Sequence, residues 1–460
     1  MKHTSSPSLQ IKFFISLFVI IVLSSCDQAK EDPWKTMGAQ VEREVHSLFE
    51  RWYPLIVDTV HGGYWTNLDH DWKISHDQVK MLVTQARGLW TAARGAEIFP
   101  EDENLVRAAD HGYRYLTEHM WDTIYGGFHQ YVPLPDDSRQ YPPHKMIYGN
   151  AFALYALSQY AKINPQPAVT DWISKVLEWM EETAHDPQHG GYFNLITPDA
   201  RSARSPGFDP IELYDAGWGA PNWKDQNSSI HLLEALTTTY QVLPDSLARE
   251  RLEEMLLLVR DTMVRHSGSL HLYFQRDWTP VSHKDSSRSY IIENLGLDHI
   301  SFGHDIETAF LLLDASKTLY GDYDGDTKKI AKQMVDHTLD HGFDDNYEGM
   351  FDRGYLFNDA KNIEILNRER IWWAEAEAWH TLTLMSHQYP NDPRYRDAAL
   401  SMWNYIQSYQ IDSTYGGWYS KGIDLNPESE VAPKGNQWKG CYHDGRSLMQ
   451  VHLYLNREIR

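Results

Sequence analysis

The chain has 460 residues, of which 42% are hydrophobic and 13% aromatic, so it can bury a sizeable core. This length allows two or three ordinary domains or one large barrel domain. The formal net charge of −22 disfavours nucleic acid and anionic membrane surfaces as partners, because their negative charge repels an acidic protein.

The N-terminus has the features of a secretory signal. Lys2 and Lys12 supply positive charge, and residues 13–23 form an apolar stretch that is too short to span a bilayer comfortably. The run Leu-Ser-Ser-Cys that ends at Cys26 resembles a lipobox, in which the cysteine is lipidated and becomes the new N-terminus. An ordinary cleaved signal and an uncleaved anchor are the alternatives.

We therefore expect residues 1–25 to be a lipoprotein signal peptide, residues 26–34 a polar tether and residues 35–460 one catalytic domain. Lipidation of Cys26 would make the protein an exported, membrane-anchored lipoprotein on the periplasmic or cell-surface side. Its membrane contact would then be through the lipid alone. Cys441 is the other cysteine of the chain, so we expect no internal disulfide in the mature protein. The sequence leaves the oligomeric state open.

An internal repeat organises the rest of the chain. The motif Asp-x-x-x-Gly-Gly-aromatic occupies residues 58–64, 122–128 and 186–192, and further copies, partly degenerate, occupy residues 266–269, 344–350 and 412–418. Glycine pairs of this kind mark tight turns that need positive φ or a close backbone approach. The flanking aromatic residues favour a short β-hairpin at each turn.

Between these turns, apolar residues recur at spacings of three and four, which is typical of helices. The predicted helices are 77–98, 103–119, 148–162, 169–184, 228–242, 246–264, 305–319, 327–341, 370–388, 395–408 and 445–455. Each repeat is thus a turn followed by two helices. Six helical hairpins can close into a ring, so the sequence predicts an all-α (α/α)6 barrel with short Gly-Gly turn segments between the hairpins. An open solenoid of six hairpins is the alternative.

Polar residues cluster near the start of the first helix of each repeat, and we expect these starts to converge at one end of a central funnel. They are Gln85 and Arg87; Tyr148 and Asn150; Asn227, His231 and Glu234; His304 and Glu307; Trp372, Trp373, Glu375 and Glu377; and Trp438, Tyr442, His443 and Arg446. Helix N-termini at this end would also favour an oxyanion.

Two of these clusters pair a histidine with a glutamate three residues later, so that both side chains share one helix face. The pairs are His231 with Glu234 and His304 with Glu307. In such a pair the carboxylate can orient a catalytic imidazole and raise its basicity. Metal ligation and a purely structural buried hydrogen bond are the alternatives. Because the chain has no HExxH motif and no thiolate cluster, we expect no metal here.

Together these motifs resemble the N-acylglucosamine 2-epimerase family, which includes cellobiose and mannobiose 2-epimerases and aldose–ketose isomerases. The resemblance extends from about Trp52 to Leu455 and rests on five motifs. They are Gln85-Ala-Arg87, Asn227-x-x-x-His231-x-x-Glu234, Ser301-Phe-Gly-His304-Asp-Ile-Glu307, Trp372-Trp373-x-x-x-Glu377-Ala and Trp438-Lys439-x-x-Tyr442-His443-x-x-Arg446. The family fold is the (α/α)6 barrel, in agreement with the repeat count.

By this resemblance, His304 and His443 are the general acid/base pair, and His231 is a third active-site histidine. Arg87 would hold the sugar near O1 and O2. The resemblance implies further substrate contacts from the aromatic residues Trp373 and Trp438, which would stack on sugar rings, and from the polar residues Tyr148, Asn227, Glu234, Glu307 and Glu377.

The chain departs from the disaccharide epimerases of that family at three positions. Ser229 stands where those enzymes often carry His, Glu375 where they usually carry Gln, and Cys441 where they usually carry Pro. These changes leave the implied acid/base histidines intact and bear on the identity of the substrate.

The resemblance implies a sugar 2-epimerase that needs no metal or redox cofactor. One histidine would remove the C2 proton of a ring-opened reducing-end aldose, Arg87 would steady the enediolate, and a second histidine would return a proton to the other face. An aldose–ketose isomerase would use the same residues and return the proton to C1. A glycoside hydrolase on the same barrel would need two carboxylates flanking the bond, and a non-catalytic sugar-binding lipoprotein would need no converging histidines.

Export favours fragments of polysaccharides as the small carbohydrate partner. The expected substrate is therefore a β-linked disaccharide or a free hexose of the mannose or glucose type.

Overall fold

The computed structural model of the chain describes Met1 and residues 32–209, 213, 219–344 and 348–458. The predicted lipidation site at Cys26, and all of the predicted signal peptide except Met1, lie outside these residues. Among the described helices, none combines the length and the apolar character that a bilayer span requires.

The described residues form thirteen α-helices. They are α1 Pro33–Trp52, α2 Leu82–Ile98, α3 Glu103–Tyr115, α4 Ile147–Ile163, α5 Pro167–Thr183, α6 Gln226–Val242, α7 Ser246–Leu258, α8 Arg288–Glu293, α9 Phe302–Tyr320, α10 Gly325–His341, α11 Trp372–Gln388, α12 Pro393–Tyr405 and α13 Tyr442–Glu458. Each of the eleven predicted helices corresponds to one of them. Helices α3, α7 and α12 each continue into one turn of π-helix, at Leu116–Met120, Val259–Met263 and Ile406–Gln410.

Short antiparallel strands lie at one end of the helices. They are β1 Lys80–Met81, β2 Tyr131–Val132, β3 Lys145–Met146, β4 Leu195–Ile196, β5 Lys224–Asp225, β6 Tyr273–Phe274, β7 Ile300–Ser301, β8 Arg353–Tyr355 and β9 Glu364–Asn367. They pair as β1–β2, β3–β4, β5–β6 and β7–β8–β9. In each sheet the first strand runs directly into a helix, which is α2, α4, α6 or α9, so the strands hold the starts of these helices in place.

The helices confirm a closed (α/α)6 barrel. The inner ring is α2, α4, α6, α9, α11 and α13, in which each helix packs on the next and α13 returns to pack on α2. This contact closes the ring and excludes the open solenoid. Helices α3, α5, α7, α10 and α12 pack on the outside of α2, α4, α6, α9 and α11. Helix α4 shows the consequence, because every residue from Ile147 to Ala161 is buried, as expected of a helix with neighbours on all sides.

The outer helix of the sixth hairpin comes from the other end of the chain. Helix α1 packs on α13 and α12 and was not among the predicted helices. Its carboxylate cap is Asp32, and its buried face is Trp34, Met37, Val41, Val45, Leu48, Phe49 and Trp52. The helix begins at Pro33, two residues before the predicted domain boundary at residue 35. Residues 33 and 34, which were assigned to the tether, therefore belong to the barrel.

In the repeats that keep the full Asp-x-x-x-Gly-Gly pattern, the aspartate side chain accepts hydrogen bonds from the backbone of the turn. In the first repeat the Asp58 carboxylate accepts two backbone N–H groups of its own turn and, at 2.8 Å, the Lys80 ammonium. Gly63 has a φ of +66°, and a Cβ there would clash with the Gln85 side-chain oxygen. That oxygen accepts the Tyr64 N–H at 2.7 Å. Glycine is therefore required where the turn approaches the inner helix.

The same loop ion pair recurs around the rim. The pairs are Asp58–Lys80, Asp122–Lys145, Asp186–Lys224, Asp344–Arg370 and Asp412–Lys434. In the fourth repeat the charges are reversed. Arg265 takes the place of the turn aspartate, because it follows Val264, which pairs with Leu270, just as Asp58 follows the residue that pairs with Tyr64. The Arg265 guanidinium lies 2.7 Å from Asp298. In each repeat an ion pair thus ties the turn to the segment that leads into the next inner helix.

Candidate active site

The starts of the inner helices surround a cavity of about 280 Å³ at the strand-bearing end of the barrel. It is lined by Arg87, Tyr148, Asn227, His231, His304, Glu307, Trp372, Trp373, Trp438 and His443. All of the predicted catalytic and substrate-binding residues except Glu234 and Glu377 are in this lining. Those two glutamates contact lining histidines from behind. The structure therefore brings the predicted set together, from all six inner helices and the loop before α13.

His443 is oriented by a buried carboxylate. Its Nδ1 lies 2.7 Å from Glu377 Oε1. Because an ionised carboxylate only accepts hydrogen bonds, Nδ1 carries the proton and Nε2 keeps a lone pair. Burial lowers the pKa of His443 to about 3, although Glu377 opposes this effect. Burial raises the pKa of Glu377, but Arg446 and two histidines outweigh it and hold that pKa well below its usual range. His443 is thus a neutral imidazole, and the lone pair of its Nε2 is not used by Glu377.

His304 sits in the first turn of α9, directly after β7. Its Nδ1 lies 2.8 Å from the Ser301 hydroxyl, which can donate or accept. Burial, reinforced by the neighbouring histidines and by the cation Arg353, lowers the pKa of His304 to about 3. The ring of Trp373 lies 4.7 Å from His304 and 5.8 Å from His443, centroid to centroid. The two imidazoles predicted to act as acid and base therefore share one aromatic neighbour.

His231 is the third histidine of the cavity. Its Nδ1 lies 3.1 Å from Glu234 Oε2, as the i, i+3 spacing predicts. The Tyr442 hydroxyl donates to the other oxygen of Glu234 at 2.9 Å. Burial raises the pKa of Glu234, but Arg446 and His231 outweigh it and bring that pKa to about 2. Glu234 is therefore an anion that orients His231 from behind the cavity wall.

Arg446 lies at the centre of the network behind the cavity. Its guanidinium contacts Glu234, Glu307 and Glu377, the last at 2.7 Å. One cation is thus shared by three carboxylates, and burial raises the pKa of Glu307. Arg446 belongs to one of the five sequence motifs, but its place in the site was not predicted. The available signal was its position three residues after His443, which places both side chains on one face of α13.

Glu307, Glu377 and His443 could together hold a cation, because their ligand atoms all lie within 4.8 Å of one another. The hydrogen bonds show what these atoms already bind. Arg446 Nη2 contacts both carboxylates, and His443 Nδ1 faces Glu377. The guanidinium thus supplies the positive charge that a metal ion would bring, and the donor set fits an internal arginine better than a metal.

Arg87 lines the cavity and has a hydrogen-bond donor that no protein group accepts. Its guanidinium stacks over the rings of Phe152 at 4.3 Å and Tyr442 at 4.9 Å, and it donates to the Tyr148 hydroxyl at 3.3 Å. The Nε–H of Arg87 is buried and has no hydrogen-bond partner. Asn227 Oδ1 is buried without a partner as well. Both groups would be satisfied by a polar ligand, and the fixed charge of Arg87 suits an oxyanion.

Trp438 marks the mouth of the cavity. It is 38% exposed, whereas His231 and His443 beneath it are buried. A large exposed ring beside a polar cavity is suited to cover the apolar face of a sugar. Trp372 also lines the cavity and was not assigned to the site from the sequence, although it is adjacent to Trp373 in one of the quoted motifs.

The three departures from the disaccharide epimerases lie outside the cavity lining. Glu375 is fully buried and accepts the Met350 N–H of the fifth turn at 2.9 Å. Ser229 donates to the carbonyl of Asp225, the residue that caps its own helix. Cys441 is buried 3.4 Å from the Tyr53 hydroxyl, and burial raises the pKa of its thiol to about 12. These residues therefore support the fold and do not line the cavity.

Comparisons with known proteins agree with this geometry. The family model described as N-acylglucosamine 2-epimerase (GlcNAc 2-epimerase) matches residues 63–444. The chain is 25% identical over 423 residues to a cellobiose 2-epimerase of Dictyoglomus turgidum, covering 91% of this chain and 98% of the relative. It is 22% identical over 414 residues to a D-mannose isomerase of Marinomonas mediterranea, covering 89% and 96%.

Solved structures give the same picture. The cellobiose 2-epimerase from Spirochaeta thermophila superposes with a TM-score of 0.77 at 25% identity, covering 94% of this chain and 100% of that chain. An α-mannanase of glycoside hydrolase family 76 from Bacteroides thetaiotaomicron has a TM-score of 0.57 at 10% identity, covering 93% and 99%, and shares the fold alone. The match over most of the barrel shows that this chain belongs to the N-acylglucosamine 2-epimerase family.

Proposed function

We propose that this protein is a carbohydrate 2-epimerase that inverts C2 of a reducing-end aldose. The observation that carries the proposal is the pair His304 and His443, two neutral imidazoles on one cavity that also presents the unpaired Nε–H of Arg87. Family membership supports the same reaction class, since the matched relatives include epimerases and an isomerase of carbohydrates.

The reaction begins with opening of the sugar ring, in which a proton moves from O1 to O5 and the C1 aldehyde forms. One histidine then takes the proton from C2, and the electron pair of that C–H bond forms the C1–C2 double bond of the enediolate. Arg87 stabilises the negative charge that develops on O1. As this charge raises its pKa, the second histidine takes up a proton from water and delivers it to the opposite face of C2, which restores the aldehyde with inverted configuration. The first histidine releases the proton that it took from C2 to water.

The low pKa values of His304 and His443 belong to the cavity without a sugar. As negative charge develops on the enediolate, it raises the pKa of the imidazoles beside it. It also pairs with Arg87, whose positive charge is one of the causes that lower the pKa of His443. Both histidines therefore become better proton carriers at the stage when the reaction needs them. General acid/base help of this kind contributes about a hundred- to ten-thousand-fold per group.

For the substrate we propose a β-linked disaccharide or a free hexose. The relatives named cellobiose 2-epimerase support the disaccharide, and exposed Trp438 provides a surface for a second ring at the mouth. Aldose–ketose isomerisation is the second candidate, because the D-mannose isomerase relative is matched over 96% of its length. The same residues serve both reactions, and the carbon that receives the proton decides between them.

Glycoside hydrolysis is less compatible with the site. It requires two carboxylates that flank the scissile bond. Here Glu234 and Glu377 lie behind the histidines, and Glu307 is bound to Arg446. No second carboxylate therefore faces a bound sugar across the described cavity.

Incubation in D2O with mannose, mannobiose, cellobiose and N-acetylglucosamine, followed by NMR, tests the function. We expect a 2-epimer that carries deuterium at C2 as the main product. A ketose with deuterium at C1 would instead support the isomerase, and a cleaved glycosidic bond with no deuterium in the product would refute both.

We also propose that the enzyme is an exported lipoprotein anchored through Cys26, a proposal supported by the signal-like residues 1–25 and the lipobox pattern. Cys26→Ala should release the protein from membranes with unchanged activity. Unaltered membrane fractionation of that variant would refute the anchor.

A further inference from the structure

We propose that His380 and Tyr454 are positioning residues that fix the tautomer of His443 through Glu377. The inference rests on the proposed function and adds two residues outside the sugar cavity. We call the four residues His443, Glu377, His380 and Tyr454 the histidine chain.

The first link of the histidine chain joins His443 Nδ1 to Glu377 Oε1 at 2.7 Å. The same oxygen accepts from Arg446 Nε at 3.2 Å and lies 2.7 Å from Arg446 Nη2. All the donors in this part of the network thus converge on one oxygen of Glu377. The other oxygen, Oε2, is buried and has no hydrogen-bond partner.

The second link joins that oxygen to His380. His380 follows Glu377 by three residues on α11, so both side chains lie on one helix face. His380 Nδ1 lies 3.9 Å from Glu377 Oε2, and it is likewise buried without a hydrogen-bond partner. Leaving a buried polar atom unsatisfied costs about 1–3 kcal/mol, and more for a charged group. Each atom is therefore the natural partner of the other, and a small side-chain rotation closes the distance.

The third link joins His380 to Tyr454. His380 Nε2 lies 3.3 Å from the Tyr454 hydroxyl, and the two rings stack with centroids 5.8 Å apart. Phe310 packs on His380 with a centroid distance of 4.4 Å. The imidazole is therefore held in one plane, with one nitrogen toward Tyr454 and the other toward Glu377.

These contacts have one consistent direction of donation. If His380 carried its proton on Nε2, the lone pair of Nδ1 would face the Glu377 carboxylate and repel it. Donation by the Tyr454 hydroxyl to Nε2 instead places the proton of His380 on Nδ1, where it can donate to Glu377. Glu377 is then held as an anion that accepts from His443 Nδ1. The basic Nε2 of His443 is thereby kept toward the sugar.

The far end of the histidine chain opens into a second cavity of about 630 Å³. His380, Tyr454, Glu234 and Arg446 line it, whereas the sugar cavity is lined by neither His380 nor Tyr454. The two cavities therefore meet the charge network from opposite sides. A small molecule can reach position 380 through the second cavity without competing with the sugar.

The test is His380→Ala, assayed for epimerisation with and without added imidazole. We expect kcat to fall by about ten- to a hundred-fold, the usual effect of removing an orienting partner, with KM unchanged. Imidazole should enter the second cavity and restore much of kcat. His380→Asn, which keeps an N–H donor near the position of Nδ1, should retain more activity than His380→Ala. The matched control is Gln241→Ala, which removes a polar side chain of the same cavity whose hydrogen bonds go to Lys162 and Thr318. It should leave kcat unchanged.

Full kcat in His380→Ala would overturn the proposal. So would a loss that neither imidazole nor the Asn variant restores, because that pattern indicates a structural role. Should circular dichroism show that His380→Ala is unfolded, Tyr454→Phe carries the test, since it deletes the hydroxyl alone and should lower kcat at constant KM. An inactive wild type on all four sugars would refute the proposed function and is a distinct outcome.

Discussion

Buried charges occur in two regions of this barrel, and they are arranged differently. At the rim, four loop ion pairs are buried, and in each of them the lysine pairs with a single carboxylate: Asp58–Lys80, Asp122–Lys145, Asp186–Lys224 and Asp412–Lys434. Along the axis, Arg446 is shared by three glutamates, and both Glu377 Oε2 and His380 Nδ1 have no hydrogen-bond partner.

The difference indicates that the rim ion pairs stabilise the fold, whereas the axial network serves the reaction. A rim lysine such as Lys145 donates to Asp122 at 2.7 Å and to the carbonyl of Pro198 at 2.8 Å, so its ammonium group is held by structural hydrogen bonds. On the axis, by contrast, Glu377 Oε2 and His380 Nδ1 are unpaired, and Nε2 of His443 keeps its lone pair. Strongly perturbed pKa values at His304 and His443 accompany that arrangement, as is typical of functional sites. Rim variants should therefore change stability, and axial variants should change turnover.

The largest effect is expected on the axis. His304→Ala and His443→Ala should each lower kcat by about a hundred- to ten-thousand-fold, because each removes a group that transfers a proton to or from C2. The melting temperature of both variants should stay close to that of the wild type, since the barrel is held by many other contacts. Steady-state kinetics and calorimetry measure the two quantities. Near-normal turnover in His443→Ala would remove the histidine mechanism altogether.

The next largest effect is expected at the rim. Lys145→Met leaves the Asp122 carboxylate buried without its cation, which should destabilise the fold by about 3–5 kcal/mol while kcat per folded molecule is unchanged. The control is the double variant Asp122→Asn/Lys145→Met, whose amide oxygen can still accept the two N–H groups of the turn. It should be more stable than the single variant when unfolding is followed in urea. Equal stability of the two would show that the charge of Asp122 is not what Lys145 compensates.

The contrast between rim and axis also shows what the sequence could and could not predict. The repeated Gly-Gly turns and apolar periodicity were sufficient for the ring of hairpins, and the polar clusters after each turn were sufficient for the cavity. Helix α1 was not predicted. It closes the ring by packing against helices from the other end of the chain, and periodicity along the chain does not reveal that contact. Glu375 was grouped with Glu377, two residues away, although such neighbours point in different directions from a helix.

The smallest effect is expected from Glu375, whose carboxyl group lies at the rim and has no cation bound to it by a hydrogen bond. Glu375 caps the fifth turn as Gln85 caps the first, but burial raises the pKa of Glu375 to about 8 and its Oε2 has no hydrogen-bond partner. A carboxyl whose folded pKa is raised stabilises the fold fully below its unfolded pKa, near 4.5. That stability is lost as the pH rises from there toward 8, because the unfolded chain releases the proton first.

Glu375→Gln keeps the acceptor for the Met350 N–H and removes the titration. The variant should therefore melt close to the wild type at pH 5 and above it at pH 8, by a few degrees at most. The reciprocal change Gln85→Glu is the matched control, because it places a buried carboxyl under the first turn and should make stability fall between the same pH values. A melting-temperature difference for Glu375→Gln that is constant from pH 5 to pH 8 would show that Glu375 is ionised in the folded protein throughout that range.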